Sequence, residues 1–409
     1  MGEAGMVIVG AGEAGARAAS ALRERGYTGP VTLVGEEAHR PYERPPLSKR
    51  IMTAEAAEAP PVILDEARLA AQDIAHLAGR RATRVDGEAH RVYLDDGRVL
   101  PFNKLLIATG AGPRRLPAPG AGSDNVLYLR TFADALALRA RLARGRRLAI
   151  VGGGFIGLEI AASAIARGCS VTLVEMAPRI LMRGVPREVA ERVKTRHEAA
   201  GVMFRIGVGI ERIERRGEEE AVVLADGSVV ACDAVIAGIG AVPEIALAQA
   251  SGLALDNGVK VDAYLRASAP DVFAAGDCCS FPHPLYGGRR LRLEAWRNAQ
   301  DQGNAAAANM LGDEQLFVAV PWFWSDQYDQ TLQVAGLPDE GKTMVERDLG
   351  EGRIYFHLDG EGRLVGASGI GPNGAIARDI RLAEMLIARR AMPEPSALAS
   401  PTVKLKGLL

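Results

Sequence analysis

The chain has 409 residues, 48% apolar and 24% charged, with a formal net charge of −1. Its length exceeds what one hydrophobic core normally holds, so two or three domains are expected, and its composition excludes a disordered polymer. Balanced charge supplies no field for gripping a polyphosphate, which argues against nucleic acid as a partner.

The first element is the apolar run MVIVG at 6–10, which leads into GAGEAG and then the helix-forming ARAASALRERG. This order is strand, tight turn, helix. Gly10 permits the turn, Gly12 lets a pyrophosphate approach the backbone, and Gly15 lets helix and strand pack closely. The helix N-terminus then presents unpaired N–H groups to phosphate. The strand VTLVGE follows and ends at Glu36, where a ribose hydroxyl needs an acceptor.

Next comes RPYERPPLSKR at 40–50, with five charges and three prolines. It reads either as a polar surface loop or as a loop that holds a ligand.

The opening grammar returns at 148–175. LAIVGGGFIG supplies Gly152, Gly154 and Gly157, a helix follows, and VTLVE ends at Glu175. The copies share a later feature: Gly110 follows Gly97 by thirteen residues, and Gly240 follows Gly227 by thirteen. This internal duplication implies two homologous Rossmann-like dinucleotide-binding domains in an α/β chain. Two sites of this kind point to one tightly held, non-covalent cofactor and one exchangeable one, FAD with NAD(P)H. A carboxylate at Glu175 bonds a ribose 2′-OH and repels a 2′-phosphate, favouring NADH, whereas Arg179 and Arg183 stand close enough in sequence to favour a phosphate.

From about residue 321 the pattern changes to short alternating runs such as RIYFHLD, then AIARDIRLAEMLIAR with Ile376, Ile380 and Ile387 on one face. A small antiparallel sheet covered by a helix is expected. The domain boundaries read as 1–115 for the first part of the FAD domain, 116–243 for the NAD domain, 244–320 for the second part of the FAD domain, and 321–409 for a C-terminal α+β domain.

Four cysteines, at 169, 232, 278 and 279, show no CxxC spacing. No metal site or disulfide framework is expected, and a reducing compartment, the cytoplasm, fits. The start MGEAGMVIVGAGEAG lacks the basic start of a signal peptide, and the apolar stretch 149–166 contains Glu159 and a glycine run, so neither a leader nor a transmembrane helix is expected.

DVFAAGDCCS at 271–280, with LLIATG at 105–110, resembles the recurring motifs of two-dinucleotide flavoproteins related to glutathione reductase. In that superfamily the Asp of the second motif bonds the ribityl chain of FAD, which falls here on Asp277; the simpler reading is a helix N-cap. More specifically, VGEEAHRPYERPPLSK, GGGFIGLE, LLIATGAGPRRLP, AAGD and LEAWRNAQDQG resemble the FAD-dependent NADH:ferredoxin reductases of bacterial oxygenase systems. The resemblance runs from about residue 6 to at least 340.

It implies a reductase that takes a hydride from NADH and passes single electrons to a [2Fe–2S] ferredoxin, which feeds a cytochrome P450 or Rieske-type oxygenase. It places FAD contacts on Ala14, Glu36, Lys49, Arg130, Asp277 and Trp296, and on Ala82 by a shorter motif; in the proline loop Arg44 stands with Lys49 as a charge for the cofactor or for Glu159. Hydride transfer requires stacked rings and excluded water rather than a triad. Lys49 and Glu159 are therefore the residues expected to tune the step, with Glu159 bonding Lys49 and the nicotinamide amide; a surface lysine and a helix-surface glutamate are the ordinary alternative.

Trp296, Trp322 and Trp324 fall within a 29-residue window, either as core or as a border to the flavin. Arg289, Arg290, Arg292 and Arg297, extended by Lys404 and Lys406, form a candidate docking patch for an acidic ferredoxin, or a solvated basic loop. The protein is expected to work as a monomer. Two rival functions remain. One is an NADH-dependent disulfide or peroxide reductase using Cys278 and Cys279, with a thiol pKa lowered by a helix N-terminus. The other is an NADH-sensing flavoprotein without turnover.

Overall fold

The computed structural model describes residues 3–122, 126–217, 219–372 and 374–409. By internal contacts the chain forms two compact units: residues 1–43, 61–112 and 242–321 make the first, and residues 44–60, 113–241 and 322–409 the second.

The first unit is built on a parallel sheet in the order Ile74–Ala78, Val31–Gly35, Gly5–Val9, Val99–Ile107, with Val272–Ala274 beside the last. Ile8 pairs in register with Leu33 on one side and Leu106 on the other. All three are fully buried, as expected of strands covered on both faces. The helix Glu13–Glu24 presents Ala14, Ala16, Ala18, Ala19 and Ala21 to the interior, small residues that let another helix approach. That partner is Trp296–Met310, where a Cβ on Gly303 would lie 2.5 Å from the Ala14 carbonyl oxygen. An antiparallel pair, Ala82–Asp86 with Arg91–Leu94, continues the sheet from the first half of Val99–Ile107.

The second unit repeats this plan. Its parallel sheet runs Met203–Ile206, Ser170–Glu175, Arg147–Val151, Ala234–Ala237, Val126–Leu127, and the helix Phe155–Ala166 follows the central strand. Three antiparallel strands, Ile210–Arg216, Glu219–Leu224 and Val229–Cys232, stand where the first unit has its antiparallel pair, so the duplication legible in the sequence is a duplication of fold.

The same unit contains a five-stranded antiparallel sheet in the order Trp322–Gln327, Gln330–Gly336, Leu364–Pro372, Arg353–Leu358, Thr343–Asp348. The helix Ala377–Ala388 lies on it, with Ile376, Ile380 and Ile387 buried as the sequence pattern requires. Among the described residues, no helix is long and apolar enough to cross a membrane.

The proline loop belongs to the second unit from Arg44 onward, while its residues 40–43 belong to the first. Pro45–Ser48 forms a short 3₁₀ turn, which suits proline because its fixed φ matches the turn and its missing N–H is not needed there. Arg139 then holds the loop, donating to the carbonyls of Ile51 at 2.8 Å, Met52 at 3.1 Å and Ala54 at 2.6 Å.

Candidate functional site

Each unit carries one glycine-rich cradle, and the three glycines in each have different reasons to lack a side chain. In the first, a Cβ on Gly10 would lie 2.0 Å from the Ala108 carbonyl oxygen at a φ of +116°, and one on Gly15 would lie 1.9 Å from the Gly10 oxygen. A Cβ on Gly12 would meet nothing within 4 Å. The second unit repeats this, with Gly152 at φ +104° and 2.4 Å from the Gly238 oxygen, Gly157 at 2.1 Å from the Gly152 oxygen, and Gly154 no closer than 3.9 Å to any neighbour. Two glycines in each cradle are closed by protein, while the middle one faces open space at a helix N-terminus. That is the shape a dinucleotide pyrophosphate requires.

At the first cradle, Glu36 is exposed and pairs with Arg81 at 2.9 Å, which brings the Ala82 segment to the same corner. Asp277 lies in a turn between the strands Val272–Ala274 and Cys279–His283, so the N-cap reading is wrong: no helix begins there. The turn is fixed from below, since Gln302 accepts from the Gly276 N–H at 2.7 Å and a Cβ on Gly276 would touch that of Ala14 at 3.0 Å. Trp296 is the first residue of its helix.

At the second cradle, the Glu175 carboxylate is clamped by backbone. One oxygen accepts from Gly153 and the other from Ala177, both at 2.7 Å. Arg179 is turned away from any phosphate, because its guanidinium donates to the carbonyls of Ile180 at 3.0 Å, Leu181 at 2.8 Å and Val185 at 3.0 Å. Arg183 instead lies beside the cradle, with Nη2 3.1 Å from where a Gly240 Cβ would stand.

The second unit also joins the two residues expected to tune hydride transfer. Glu159 is 5% exposed on the helix Phe155–Ala166, and Lys49 Nζ lies 2.9 Å from its Oε1. The surface alternative is therefore wrong for Glu159. Two hydroxyls absent from the sequence expectations complete the cage: Ser48 Oγ donates to Oε2 at 2.5 Å and Ser325 Oγ to Oε1 at 2.6 Å. Their only sequence signals were adjacency to Lys49 and an inward register in WFWSDQ. Lys49 Nζ also lies 6.0 Å from the Trp324 ring, which stacks on Trp322 at 5.4 Å, while Arg44 donates to the Arg130 carbonyl at 2.7 Å.

The arginine patch is less available than its sequence indicated. Arg290 donates to the Ser280 carbonyl at 2.6 Å and faces Asp256 at 3.4 Å, and Arg292, only 9% exposed, pairs with Glu294 at 2.6 Å. Arg297 faces Asp301 at 3.4 Å. Arg289, Lys404 and Lys406 are exposed. The thiol expectation fails on two counts: no helix follows Asp277, and burial pushes the thiols of Cys278 and Cys279 up rather than down.

Two glycine-rich cradles on duplicated Rossmann-like sheets, with an antiparallel C-terminal sheet, define a two-dinucleotide oxidoreductase. Residues 5–303 match the pyridine nucleotide-disulphide oxidoreductase family and residues 322–409 the reductase C-terminal family; the chain belongs to this family and uses FAD and NAD(H). It is 44% identical over 405 residues to the anthranilate 1,2-dioxygenase system ferredoxin–NAD(+) reductase component of Burkholderia cepacia, covering 98% of each chain. Among solved structures it resembles the ferredoxin reductase for the CYP199A2 system from Rhodopseudomonas palustris, with a TM-score of 0.93, 34% identity and 99% of each chain covered. It also resembles the covalent putidaredoxin reductase–putidaredoxin complex, with a TM-score of 0.93, 35% identity and coverage of 100% and 98%.

Proposed function

We infer that this protein is an FAD-dependent NADH:ferredoxin oxidoreductase whose [2Fe–2S] partner supplies a cytochrome P450 or Rieske-type oxygenase. The observation that carries the reading is the pair of cradles, each closed at two glycines and open at the third. The similar proteins named as ferredoxin reductase components supply the acceptor class. When bound, FAD accepts a hydride from NADH and releases the electrons singly.

The remaining chemistry is positional. In the first unit Gly10, Gly12, Ala14, Gly15, Glu36, Ala82, Asp277 and Trp296 serve FAD. In the second, Arg44, Lys49 and Arg130 serve FAD, while Gly152, Gly154, Gly157, Glu159, Glu175 and Arg183 serve NADH. The clamped Glu175 accepts a ribose hydroxyl and repels a 2′-phosphate, and with Arg179 held by carbonyls NADH is preferred over NADPH. Glu159 and Lys49 orient the nicotinamide amide, and burial of the Glu159 carboxylate under hydroxyl donors keeps solvent from it. Arg289 and the Trp322–Trp324 stack contribute to ferredoxin docking, and the enzyme works as a cytoplasmic monomer.

The test is anaerobic rapid mixing of the FAD-loaded protein with NADH, then cytochrome c reduction with a panel of purified [2Fe–2S] ferredoxins. Rapid flavin bleaching and ferredoxin-dependent turnover are expected. Slow bleaching without turnover would refute the reading. Arg289→Ala and Trp322→Ala, made separately, are each expected to raise the KM for ferredoxin while leaving flavin reduction unchanged.

A further inference from the structure

The Glu159 carboxylate stands at the end of a hydrogen-bonded chain with a single direction. Gln327 Oε1 is a carbonyl oxygen and can only accept, so the 2.7 Å contact from His197 Nε2 places the imidazole proton on Nε2. Nδ1 is then an acceptor, and the Tyr328 hydroxyl, 3.2 Å away, donates to it. On the other side, Gln327 Nε2 donates to Ser325 Oγ at 3.0 Å, which leaves the Ser325 proton to go to Glu159 Oε1. Every proton from Tyr328 onward points toward the carboxylate. Bonds aligned in this way polarise one another in a buried setting.

The other carboxylate oxygen is held with equal care. Glu159 and Ser163 stand one helical turn apart, and together they grip Ser48: its hydroxyl donates to Glu159, and its carbonyl accepts from Ser163 Oγ at 2.8 Å. Lys49 is the charged group brought to Glu159 by these contacts, while the strand Trp322–Gln327 brings neutral ones. Around His197, Arg196 lies over the Tyr328 ring and is paired with Asp329 at 2.7 Å. Burial holds His197 down at about 4, so the imidazole stays neutral and the direction of the chain is kept at neutral pH.

We propose that Ser48 and Ser325 are positioning residues for hydride transfer: their hydroxyls fix the rotation of the Glu159 carboxylate, and the chain from Tyr328 through His197 and Gln327 commits Ser325 to the donor role. The proposal rests on the reading that Glu159 and Lys49 orient the nicotinamide. Because the C-terminal sheet supplies Ser325 and Gln327, part of the nicotinamide geometry is set by an element outside the dinucleotide fold. A small misplacement at a reacting centre costs rate more than ground-state binding.

The test compares Ser325→Ala, Ser325→Thr, Ser48→Ala and Glu159→Gln in the FAD-loaded enzyme, after flavin content and thermal melts establish folding. Three quantities are read: the saturating rate of flavin reduction by NADH, the Kd for NAD+, and the ¹⁵N signals of His197. Ser325→Ala is expected to lower the saturating rate about tenfold with Kd altered less than about twofold, and Ser325→Thr to restore the rate. His197 is expected as the Nε2–H tautomer. A normal rate in Ser325→Ala, no recovery in Ser325→Thr, or an Nδ1–H tautomer would overturn the proposal; if Ser325→Ala does not fold, Ser48→Ala decides in the same way. A normal rate in Glu159→Gln sinks the underlying reading of the pair, whereas a slow Glu159→Gln beside a normal Ser325→Ala sinks only this inference.

Discussion

Ser48 and Glu159 lie 111 positions apart in the chain, yet their side chains meet at 2.5 Å, and Lys49 closes on the same carboxylate. A buried carboxylate is tolerated when its charge is paired and its lone pairs are occupied. Removing the ammonium leaves the charge with two hydroxyls, so Lys49→Ala is expected to lower stability by about 2 kcal/mol, read from urea unfolding. The same variant should slow flavin reduction and weaken FAD retention; unaltered values would return the proline loop to an ordinary surface role. Removing both charges, as in Lys49→Met with Glu159→Gln, should cost less than Lys49→Ala alone, because no charge is then stranded. Glu175 permits a second prediction: Glu175→Gln removes the repulsion against a 2′-phosphate, and the NADH over NADPH preference in kcat/KM is expected to fall about tenfold. Sequence indicated Glu159 and Glu175 through their places after the glycine motifs, but Ser325 only through an inward register in WFWSDQ, because its role depends on a strand folding back onto a distant helix.

The two cradles separate folding from binding at the level of the element. Gly15 and Gly157 are crossed by backbone, so Gly15→Ala forces the strand and helix apart and is expected to reduce stability by about 2 kcal/mol or more. Gly12 has a φ of −85° and open space, conditions under which alanine is tolerated and even favoured in the apoprotein. Gly12→Ala should therefore leave apoprotein unfolding within about 0.5 kcal/mol of the original while weakening FAD binding at least tenfold, because the methyl group occupies the position of the pyrophosphate. Gly154→Ala should do the same to NADH binding while FAD is retained, measured by flavin content and NAD+ titration. Equal loss of stability in Gly12→Ala and Gly15→Ala would contradict the division of roles. These elements were legible because strand, turn and helix are local, and three glycines at fixed spacing report directly on what the backbone must avoid. The turn at Asp277 was not: the same Gly-Asp signal precedes a helix or a strand, and the packing of Gly276 against Ala14, with Gln302 beneath, decided for the strand.

At the scale of the whole molecule, buried histidines govern the response to acid. Burial lowers His197 and His357 each to about 4, while an unfolded histidine titrates near 6.5. Between those values the unfolded chain binds the additional protons, so stability is complete above pH 6.5 and is lost as pH falls toward 4. Each histidine is expected to remove about 2 kcal/mol by pH 5, read as a lower urea midpoint at pH 5 than at pH 7. His197→Gln should recover about 2 kcal/mol of the stability lost by pH 5, and an unchanged slope would show that the imidazole is not protected as its surroundings require.

By itself the sequence determined the doubled dinucleotide fold, the antiparallel C-terminal sheet and the residues of both cradles, since these follow from short-range spacing and hydrophobic period. It also marked Glu159, by its place after Gly157, and Lys49, by resemblance. Only the tertiary structure decided that the proline loop from Arg44 onward belongs to the second unit, that Arg290 and Arg292 pair with Asp256 and Glu294, and that Cys278 in its turn and Cys279 at the start of a strand are buried with raised thiols. It alone showed that a carboxylate on one helix is caged by hydroxyls from a loop and from the C-terminal sheet. Burial and hydrogen-bond partnership are properties of chain segments distant in sequence, and no local pattern encodes which of them will meet.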